Sequence, residues 1–209
     1  MIKKIIKNKK GYTIIETMIA VSLFIIIVMA GMGALLNANL LHQKSRDMRS
    51  ILDSLSFIME DMSRNLRTGH NFRCIDVDSF TPAVLSTVKS GEDCWGVAFE
   101  SQDGIVSNQN DQWVYFIRND GKIFRATKAP YTNPDTDPAS EFVQLTPDEV
   151  FIDPVSGFSV LGASPVSSGD RQQPFITIRL VGTISYKNNI TSPFSLQTSV
   201  SQRLIDVGN

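Results

Sequence analysis

The sequence predicts an α+β protein: a long N-terminal helix, membrane-spanning in its first half and amphipathic in its second, packs on a mainly antiparallel β-sheet domain. Two observations lead to this prediction. Apolar residues recur with a helical period from Tyr12 to about Thr68. From His70 onward, short apolar runs are separated by turn residues without intervening helices, which is typical of antiparallel sheets. A chain of 209 residues with 42% hydrophobic content allows one membrane segment and one globular domain.

The run from Tyr12 to Leu36 is long and apolar enough to cross a hydrocarbon core about 30 Å thick as a single helix. Its only ionisable side chains are those of Tyr12 and Glu16. The preceding leader, residues 1–11, carries five lysines, which should hold the N-terminus in the cytoplasm and send the rest of the chain across. We therefore expect a single-pass protein of the cytoplasmic membrane whose C-terminal domain lies outside.

Glu16 is the unusual residue of this run. A carboxylate in the middle of a membrane costs roughly 2.5–3.5 kcal/mol on insertion scales and is rarely found without a partner. The leader lysines would lie in water on the cytoplasmic side. If the chain were cut after Gly11, the new α-amino group would supply a cation, because such amines have a pKa of about 7.7–8.0.

The residues from Lys10 to Glu16 read Lys-Gly-Tyr-Thr-Ile-Ile-Glu. Together with the basic leader and the apolar helix, this pattern resembles the type IV pilin family, although Tyr12 stands where phenylalanine is commoner and Ile14 where leucine is commoner. The resemblance implies that a prepilin peptidase cleaves between Gly11 and Tyr12 and methylates the new Tyr12 amine. It also implies that Glu16 pairs with the terminal amine of a neighbouring subunit during filament assembly.

Two other interpretations of the N-terminus remain. An ordinary secretory signal peptide has an apolar core of about 7–15 residues followed by a small-residue cleavage site, whereas this core is longer and an acid lies at its start. An uncleaved signal anchor, with Glu16 merely near the membrane interface, would insert by the same positive-inside rule. The position of the acid favours the pilin-like interpretation.

The helical period continues beyond the membrane segment, through residues 37–69. One face of this second half is apolar and the other is charged, with Glu60 and Arg64 at a favourable i, i+4 spacing. Gly69 is a natural helix stop. A helix from Tyr12 to Thr68 would be on the order of 85 Å long. The apolar positions of this half are Met48, Ile51, Leu52, Leu55, Ile58, Met59, Met62 and Leu66.

The exported domain, residues 70–209, contains seven candidate strands. The strongest signal is a hairpin at Asn119-Asp120-Gly121, because this turn sequence separates two runs rich in aromatic and β-branched residues. Residues 129–140 and 164–173 are polar, proline- or glycine-containing loops. The candidate strands are Trp95–Ser101, Gln112–Arg118, Lys122–Arg125, Phe142–Leu145, Phe158–Leu161, Phe175–Ser185 and Phe194–Gln202.

The two cysteines, Cys74 and Cys94, fall on the expected exported side, where oxidation is permitted. We expect a disulfide between them, the alternative being two free thiols, since sequence does not supply the Cα separation. No metal or other cofactor is expected. His70 lies near Cys74, but a closed zinc site needs four ligands. Asp135 and Asp137 have oxygens that suit calcium, yet their spacing matches no loop with a defined ligand set.

The sequence contains no glycine-rich phosphate loop, nucleophile elbow or His-Glu constellation, so we expect no enzymatic activity. A weaker resemblance to the larger minor pilins and to the J-type minor pseudopilins of type II secretion extends along the chain. It implies a structural subunit that helps to initiate or cap a filament, with other pilins as partners through the N-terminal helix. This resemblance rests on residues 55–69, 119–121, 144–146 and 197–203.

Other functions on the same filament stay open: a component of the type II secretion pseudopilus, a tip adhesin, or a DNA-uptake module. Nucleic-acid binding receives little support, because subtracting the five leader lysines from the formal charge of −1 leaves −6. The one cluster relevant to DNA combines three cations with Phe124 and Tyr131. Its alternative role is that of charges that protect strand edges from aggregation. The three cations are Lys122, Arg125 and Lys128.

Overall fold

The computed structural model describes residues 11–76, 85, 87–133, 137–165, 168–186 and 190–203. Most of the leader, residues 1–10, is therefore outside the described residues. The chain divides into two compact units, residues 1–47 and 48–209. The boundary falls within one helix, α1 (Ile14–Thr68), whose bounds confirm the predicted helix to within two residues at its start.

In the N-terminal unit, α1 is long and apolar enough to cross a membrane. Its large apolar side chains are exposed in the isolated chain; Phe24, for example, is 66% exposed and Leu35 is 72% exposed. Such a continuous apolar surface is not expected to face water. It is compatible with anchoring by a single membrane pass.

The described residues of the second unit form ten strands in two five-stranded sheets. The order in the first sheet is β1-β3-β4-β5-β6, and in the second β10-β9-β8-β2, with β7 also pairing with β9. Every pairing between these strands is antiparallel, as predicted. The strands are β1 (His70–Ile75), β2 (Gly91–Cys94), β3 (Gly96–Glu100), β4 (Trp113–Ile117), β5 (Ile123–Ala126), β6 (Val143–Gln144), β7 (Val150–Ile152), β8 (Gly157–Leu161), β9 (Phe175–Tyr186) and β10 (Ile190–Ser201).

All seven candidate strands correspond to observed strands, but β1, β2 and β7 were not predicted from sequence. The Gly-Glu-Asp-Cys sequence of β2 has no β propensity. This segment is a strand because its backbone pairs with that of β8. Strand β1 has an irregular register between His70 and Arg73, and Asn71 within it adopts a positive φ of 54°. Short strands of this kind are stabilised by their neighbours and not by their own sequence.

The predicted hairpin at Asn119-Asp120-Gly121 joins β4 to β5, in register Ile117↔Ile123. The Gly121 amide donates to the Arg118 carbonyl at 2.9 Å, and Gly121 has a φ of +74°, a conformation that favours glycine. A Cβ at this position would also lie 2.7 Å from the ring of Phe151. The turn is thus fixed both by its backbone and by its contact with β7.

The main core lies where the C-terminal part of α1 meets both sheets. The apolar stripe predicted for this part of the helix is buried from Leu55, which is 0% exposed, to Leu66, and its earlier positions, Met48, Ile51 and Leu52, are partly buried; Met62 and Leu66 are also 0% exposed. It packs against Phe99 and Tyr115 of the first sheet, among others, and against apolar residues of the second. The contributions of the second sheet include Val150, Phe158, Val160, Ile176, Ile178, Leu180 and Phe194.

A second cluster covers the other face of the first sheet. Phe116 and Phe124 stack with ring centroids 5.5 Å apart, and Phe142 meets Phe116 edge-on at 4.7 Å. Tyr131 packs against this cluster from the loop between β5 and β6. Because the first sheet is covered on both faces, all five residues of β3 are buried, which explains why Gly96–Phe99 is apolar without alternation.

Polar contacts also join the helix to the first sheet. The Tyr115 hydroxyl accepts a hydrogen bond from the Asn65 amide at 2.9 Å and donates to Asp61 Oδ2 at 3.3 Å. Burial raises the pKa of Tyr115 to about 12, so the hydroxyl keeps its proton at neutral pH. Arg125 donates to the same Asp61 oxygen at 2.9 Å. The predicted pair of Glu60 and Arg64 is also present, at 3.0 Å on the exposed face.

The helix ends where its backbone meets the first sheet. A Cβ on Gly69 would lie 2.3 Å from Phe99 Cδ2 and 3.0 Å from the Glu100 carbonyl oxygen. The predicted stop at Gly69 is therefore confirmed, but close approach to β3, and not a left-handed cap, is what requires glycine. The Arg67 carbonyl, one of those left free at a helix end, accepts a hydrogen bond from the Arg203 amide at 2.7 Å.

Candidate functional site

The residues of the predicted cleavage site lie just before α1. Gly11, Tyr12 and Thr13 are non-helical and exposed, and the Tyr12 side chain is 82% exposed. Apart from Gly11 itself and its two chain neighbours, no atom of the described chain lies within 4 Å of the position that a Cβ on Gly11 would occupy. Within the described residues of the N-terminal unit, the Gly11–Tyr12 peptide bond is thus open to a modifying enzyme. Its cleavage and the methylation of Tyr12 remain predictions.

Glu16 lies in the first turn of α1, where Thr13 acts as the N-cap residue. The Glu16 amide donates to Thr13 Oγ1 at 3.4 Å, and the Thr17 amide donates to the Thr13 carbonyl at 3.2 Å. Thr-x-x-Glu is the pattern of a capping box, and a carboxylate in the first turn is favoured by the helix dipole. Sequence analysis missed this signal, which gives Glu16 a local role beside the predicted pairing role.

No cation of the apolar run can pair with the Glu16 carboxylate. Residues 12–43 contain no lysine or arginine. Lys44 is the first cation that follows, 28 residues further along, which is about 42 Å along the helix axis. The side chains around Glu16 are exposed and apolar: Ile14, Ile15, Met18 and Ile19 are each more than half exposed. A counter-ion for this carboxylate must come from the N-terminus or from another molecule.

The predicted disulfide between Cys74 and Cys94 is present, with a Cα–Cα distance of 5.4 Å. Cys74 belongs to β1 in the first sheet and Cys94 to β2 in the second, and both side chains are buried. A Cβ on Gly91 would lie 2.5 Å from Cys74 Sγ, so the bond packs directly against the β2 backbone. The disulfide therefore fastens one sheet to the other.

Removing this bond should lower stability substantially. The two cysteines are 20 residues apart, and closing a loop of that size stabilises a fold by about 3 kcal/mol in the chain-entropy account. We expect the Cys74→Ser/Cys94→Ser double variant to lose about 2–4 kcal/mol of unfolding free energy, measured by denaturant titration of the full chain in detergent. Because the chain has no other cysteine, reductant should destabilise the wild type by as much as the double substitution does. It should leave the stability of the variant unchanged.

A buried polar chain joins Arg73 of β1, Glu100 of β3 and Gln112, the residue before β4. Arg73 donates to Gln112 Oε1 at 2.8 Å, and the Gln112 amide donates to Glu100 Oε1 at 2.7 Å. Burial lowers the pKa of Arg73 to about 10 and raises the pKa of Glu100. Glu100 is 1% exposed, and its second carboxylate oxygen has no hydrogen-bond partner in the described part of the protein.

This arrangement predicts a stability change with pH. Since the folded pKa of Glu100 is raised above its ordinary value of 4.5, this carboxyl group stays protonated to a higher pH in the native state than in the unfolded chain. The corresponding stabilisation is complete below pH 4.5 and is lost as the pH rises through the folded pKa. We expect the Glu100→Gln variant to lack this decrease in unfolding free energy with rising pH, measured by denaturant titration between pH 4 and 8. An unchanged pH profile in Glu100→Gln would contradict the assignment.

The cation cluster considered for DNA is engaged within the protein. Lys122 Nζ donates to three carbonyl oxygens, including that of Val150 at 2.6 Å. Arg125 pairs with Asp61 at 2.9 Å, and Lys128 pairs with Glu141 at 3.2 Å. The aromatic members of the cluster, Phe124 and Tyr131, pack against the second core cluster. These contacts favour a structural role for the three cations.

No metal centre is formed within the described ranges, where no group of three His, Cys, Asp or Glu side chains is placed to hold an ion. Of the two loop aspartates, Asp135 is outside the described residues. Asp137 Oδ1 accepts a hydrogen bond from the Ala139 amide at 2.9 Å and thus organises a turn.

The site with the clearest chemistry is therefore the N-terminal segment, with an exposed Gly11–Tyr12 bond and an acid in a run, residues 12–43, that contains no lysine or arginine. The disulfide-linked domain follows it in the chain. Comparisons of the chain with family models, with curated proteins and with solved structures found no match.

Proposed function

We propose that this chain is a structural minor subunit, a minor pilin or pseudopilin, of a type IV pilus-like filament. In this proposal it is cleaved after Gly11 and helps to initiate or cap filament assembly. The observation that carries the proposal is Glu16, a carboxylate in the first helical turn of an exposed apolar segment that contains no lysine or arginine.

Cleavage would create the missing cation. The new Tyr12 amine would be mostly charged at neutral pH, and N-methylation of that amine preserves a positive charge. In a bundle of parallel helices, this amine on one subunit can approach Glu16 of a neighbour. The exposed apolar side chains of the N-terminal unit would be covered by lipid before assembly and by neighbouring helices afterwards. An unpaired carboxylate would oppose that second step, since isolated charges are costly away from water.

The second unit supports a role outside the filament core. Its own hydrophobic core is complete and is fastened by a disulfide, which is typical of proteins in an oxidising compartment. A large exported domain on a pilin-like helix is the arrangement that the resemblance to minor pilins implies. By this account the helix assembles and the domain determines where in the filament the subunit belongs.

Deletion of the gene tests this function. An initiating subunit is present in few copies, so its loss should reduce the number of filaments, or of assembled secretion pseudopili, by about tenfold or more without changing the level of the major subunit. Filaments are counted by electron microscopy, and secreted protein is measured in the same cultures. Unchanged filament number and unchanged secretion would contradict the proposal.

A second candidate function, ligand binding at a filament tip, is favoured by one cleft in the second unit. This cleft has a volume of about 480 Å³, and its lining includes Trp95, Asp93, Val155 and Arg179. Trp95 is 40% exposed, and an aromatic face beside charged groups is suited to binding ligands. Under this function, Trp95→Ala would leave the filament number unchanged but abolish surface adhesion or DNA uptake.

A further inference from the structure

The outer edge of β10 is the longest unpaired strand edge of the described domain. Strand β10 pairs with β9 along twelve residues, from Ile190↔Tyr186 to Ser201↔Phe175. It ends the order of the second sheet, and no described strand pairs with its other side. Each residue of a strand offers a backbone donor and acceptor, so a row of these groups along this edge is left for water or for another chain.

From Ser195 to Ser201, this edge lacks the charges and prolines that usually prevent a further strand from pairing. Ile190–Ser201 contains no charged residue, and Pro193, near its start, is its only proline. Edge strands are ordinarily protected by lysines, prolines, bulges or short length. The segment from Ser195 to Ser201 is regular and uncharged, and alternate side chains along it are exposed. It has the properties of a strand that accepts a partner.

A groove runs beside this edge, between β10 and the last turns of α1. It has a volume of about 860 Å³, and Thr198, Val200 and neighbouring residues of β10 line one side of it. Arg64, Arg67 and Arg203 line it together with one acid. That acid is Glu60, which already pairs with Arg64.

Two of these arginines are available to a ligand. The Arg67 and Arg203 side chains are exposed, and within the described part of the chain neither has an acidic partner. Their backbones are held together, because the Arg203 amide donates to the Arg67 carbonyl at 2.7 Å. In the described part of the chain, the groove therefore combines an unpaired strand edge with two exposed arginines whose backbones adjoin, and guanidinium groups favour carboxylates in bidentate geometry.

We propose that this groove binds an extended acidic segment of another protein, which pairs as an additional strand along Ser195–Ser201 of β10. A strand added there would lie about 4.8 Å from β10, and every second side chain would face the same side, at intervals of about 6.7 Å. Acidic side chains on that side would reach Arg67 and Arg203. This binding mode is strand addition with charge selection, and it does not depend on the proposed filament function.

The test uses the full chain in nanodiscs of zwitterionic lipid and a fluorescein-labelled octapeptide in which valine and glutamate alternate. Fluorescence anisotropy gives its affinity. We expect saturable binding, at least tenfold weaker when alternate peptide amides are N-methylated, and no binding when lysine replaces glutamate. The N-methylated peptide keeps every charge, so it isolates the contribution of the strand edge.

Charge reversal tests how much Arg67 and Arg203 contribute to peptide binding. The Arg67→Glu/Arg203→Glu variant should bind the acidic peptide at least tenfold more weakly, whereas Arg49→Glu, an exposed position of the same helix outside the groove, should bind it normally. Equal thermal unfolding of both variants and wild type establishes that folding is intact. Absence of saturable binding up to 1 mM, equal binding of the N-methylated peptide, or tighter binding of a single-stranded oligonucleotide would each overturn the proposal.

Discussion

Replacing Glu16 by glutamine is expected to leave membrane insertion and leader cleavage largely intact and to reduce incorporation into filaments by about two orders of magnitude. Removing one member of a buried ion pair costs roughly 3–5 kcal/mol, because the other charge is left unpaired. Here the remaining charge would be the Tyr12 amine of the neighbouring subunit. Incorporation is measured by quantitative immunoblotting of sheared filaments against the membrane pool.

Glutamine separates the two roles of Glu16. A glutamine at this position of a capping box can still bond to the N-cap backbone, so Glu16→Gln removes the charge and keeps the helix start. The matched control is Thr13→Ala, which removes the hydroxyl that accepts from the Glu16 amide and costs about 1 kcal/mol of helix stability. We expect Thr13→Ala and wild type to incorporate alike. Normal incorporation of Glu16→Gln would show that the charge, and hence pairing, is not needed for assembly, while a defect of Thr13→Ala as large as that of Glu16→Gln would show that incorporation also depends on the helix start.

The second large effect concerns the apolar stripe of α1 that packs on the two sheets of the second unit. Leu66 is 0% exposed and belongs to the main core, so Leu66→Ala should lower the free energy of unfolding by about 3–5 kcal/mol through lost burial and a residual cavity. The measurement is guanidinium-induced unfolding of the full chain in detergent, followed by tryptophan fluorescence. Both tryptophans, Trp95 and Trp113, lie in the second unit.

Phe57 provides the control for this prediction. It lies on the same helix and within the same unit, but its side chain is 72% exposed. Phe57→Ala removes more atoms than Leu66→Ala and should nevertheless change stability by less than about 0.5 kcal/mol. If the two variants were equally destabilised, the helix would not be packed on the domain through the face described.

The long helix and the aromatic hairpin could be predicted from sequence because their signals are local. The apolar period of α1 and the Asn-Asp-Gly turn each specify structure within a few residues. Strand β2 could not be predicted, because the sequence Gly-Glu-Asp-Cys becomes a strand only through the ladder of β8. The division into two sheets depends on long-range pairing that no local pattern records.

The candidate sites show the same difference between local and long-range signals. The Gly-Tyr junction and Glu16 are visible in sequence as an acid within an apolar run. The cap made by Thr13 has a local pattern as well, Thr-x-x-Glu, from which it could have been predicted. The groove beside β10 could not be found from sequence, since it joins Arg67 and Arg203, which lie 136 positions apart.

The central claim is that the chain is matured at Gly11 and assembled through its new N-terminus. The most direct measurement is the intact mass and N-terminal sequence of the protein isolated from its native membrane, in cells with and without prepilin peptidase. We expect a chain that begins at N-methylated Tyr12 in the first cells and at Met1 in the second. A chain that begins at Met1 in both would contradict the account and make the protein a signal-anchored surface protein in which Glu16 serves the helix cap.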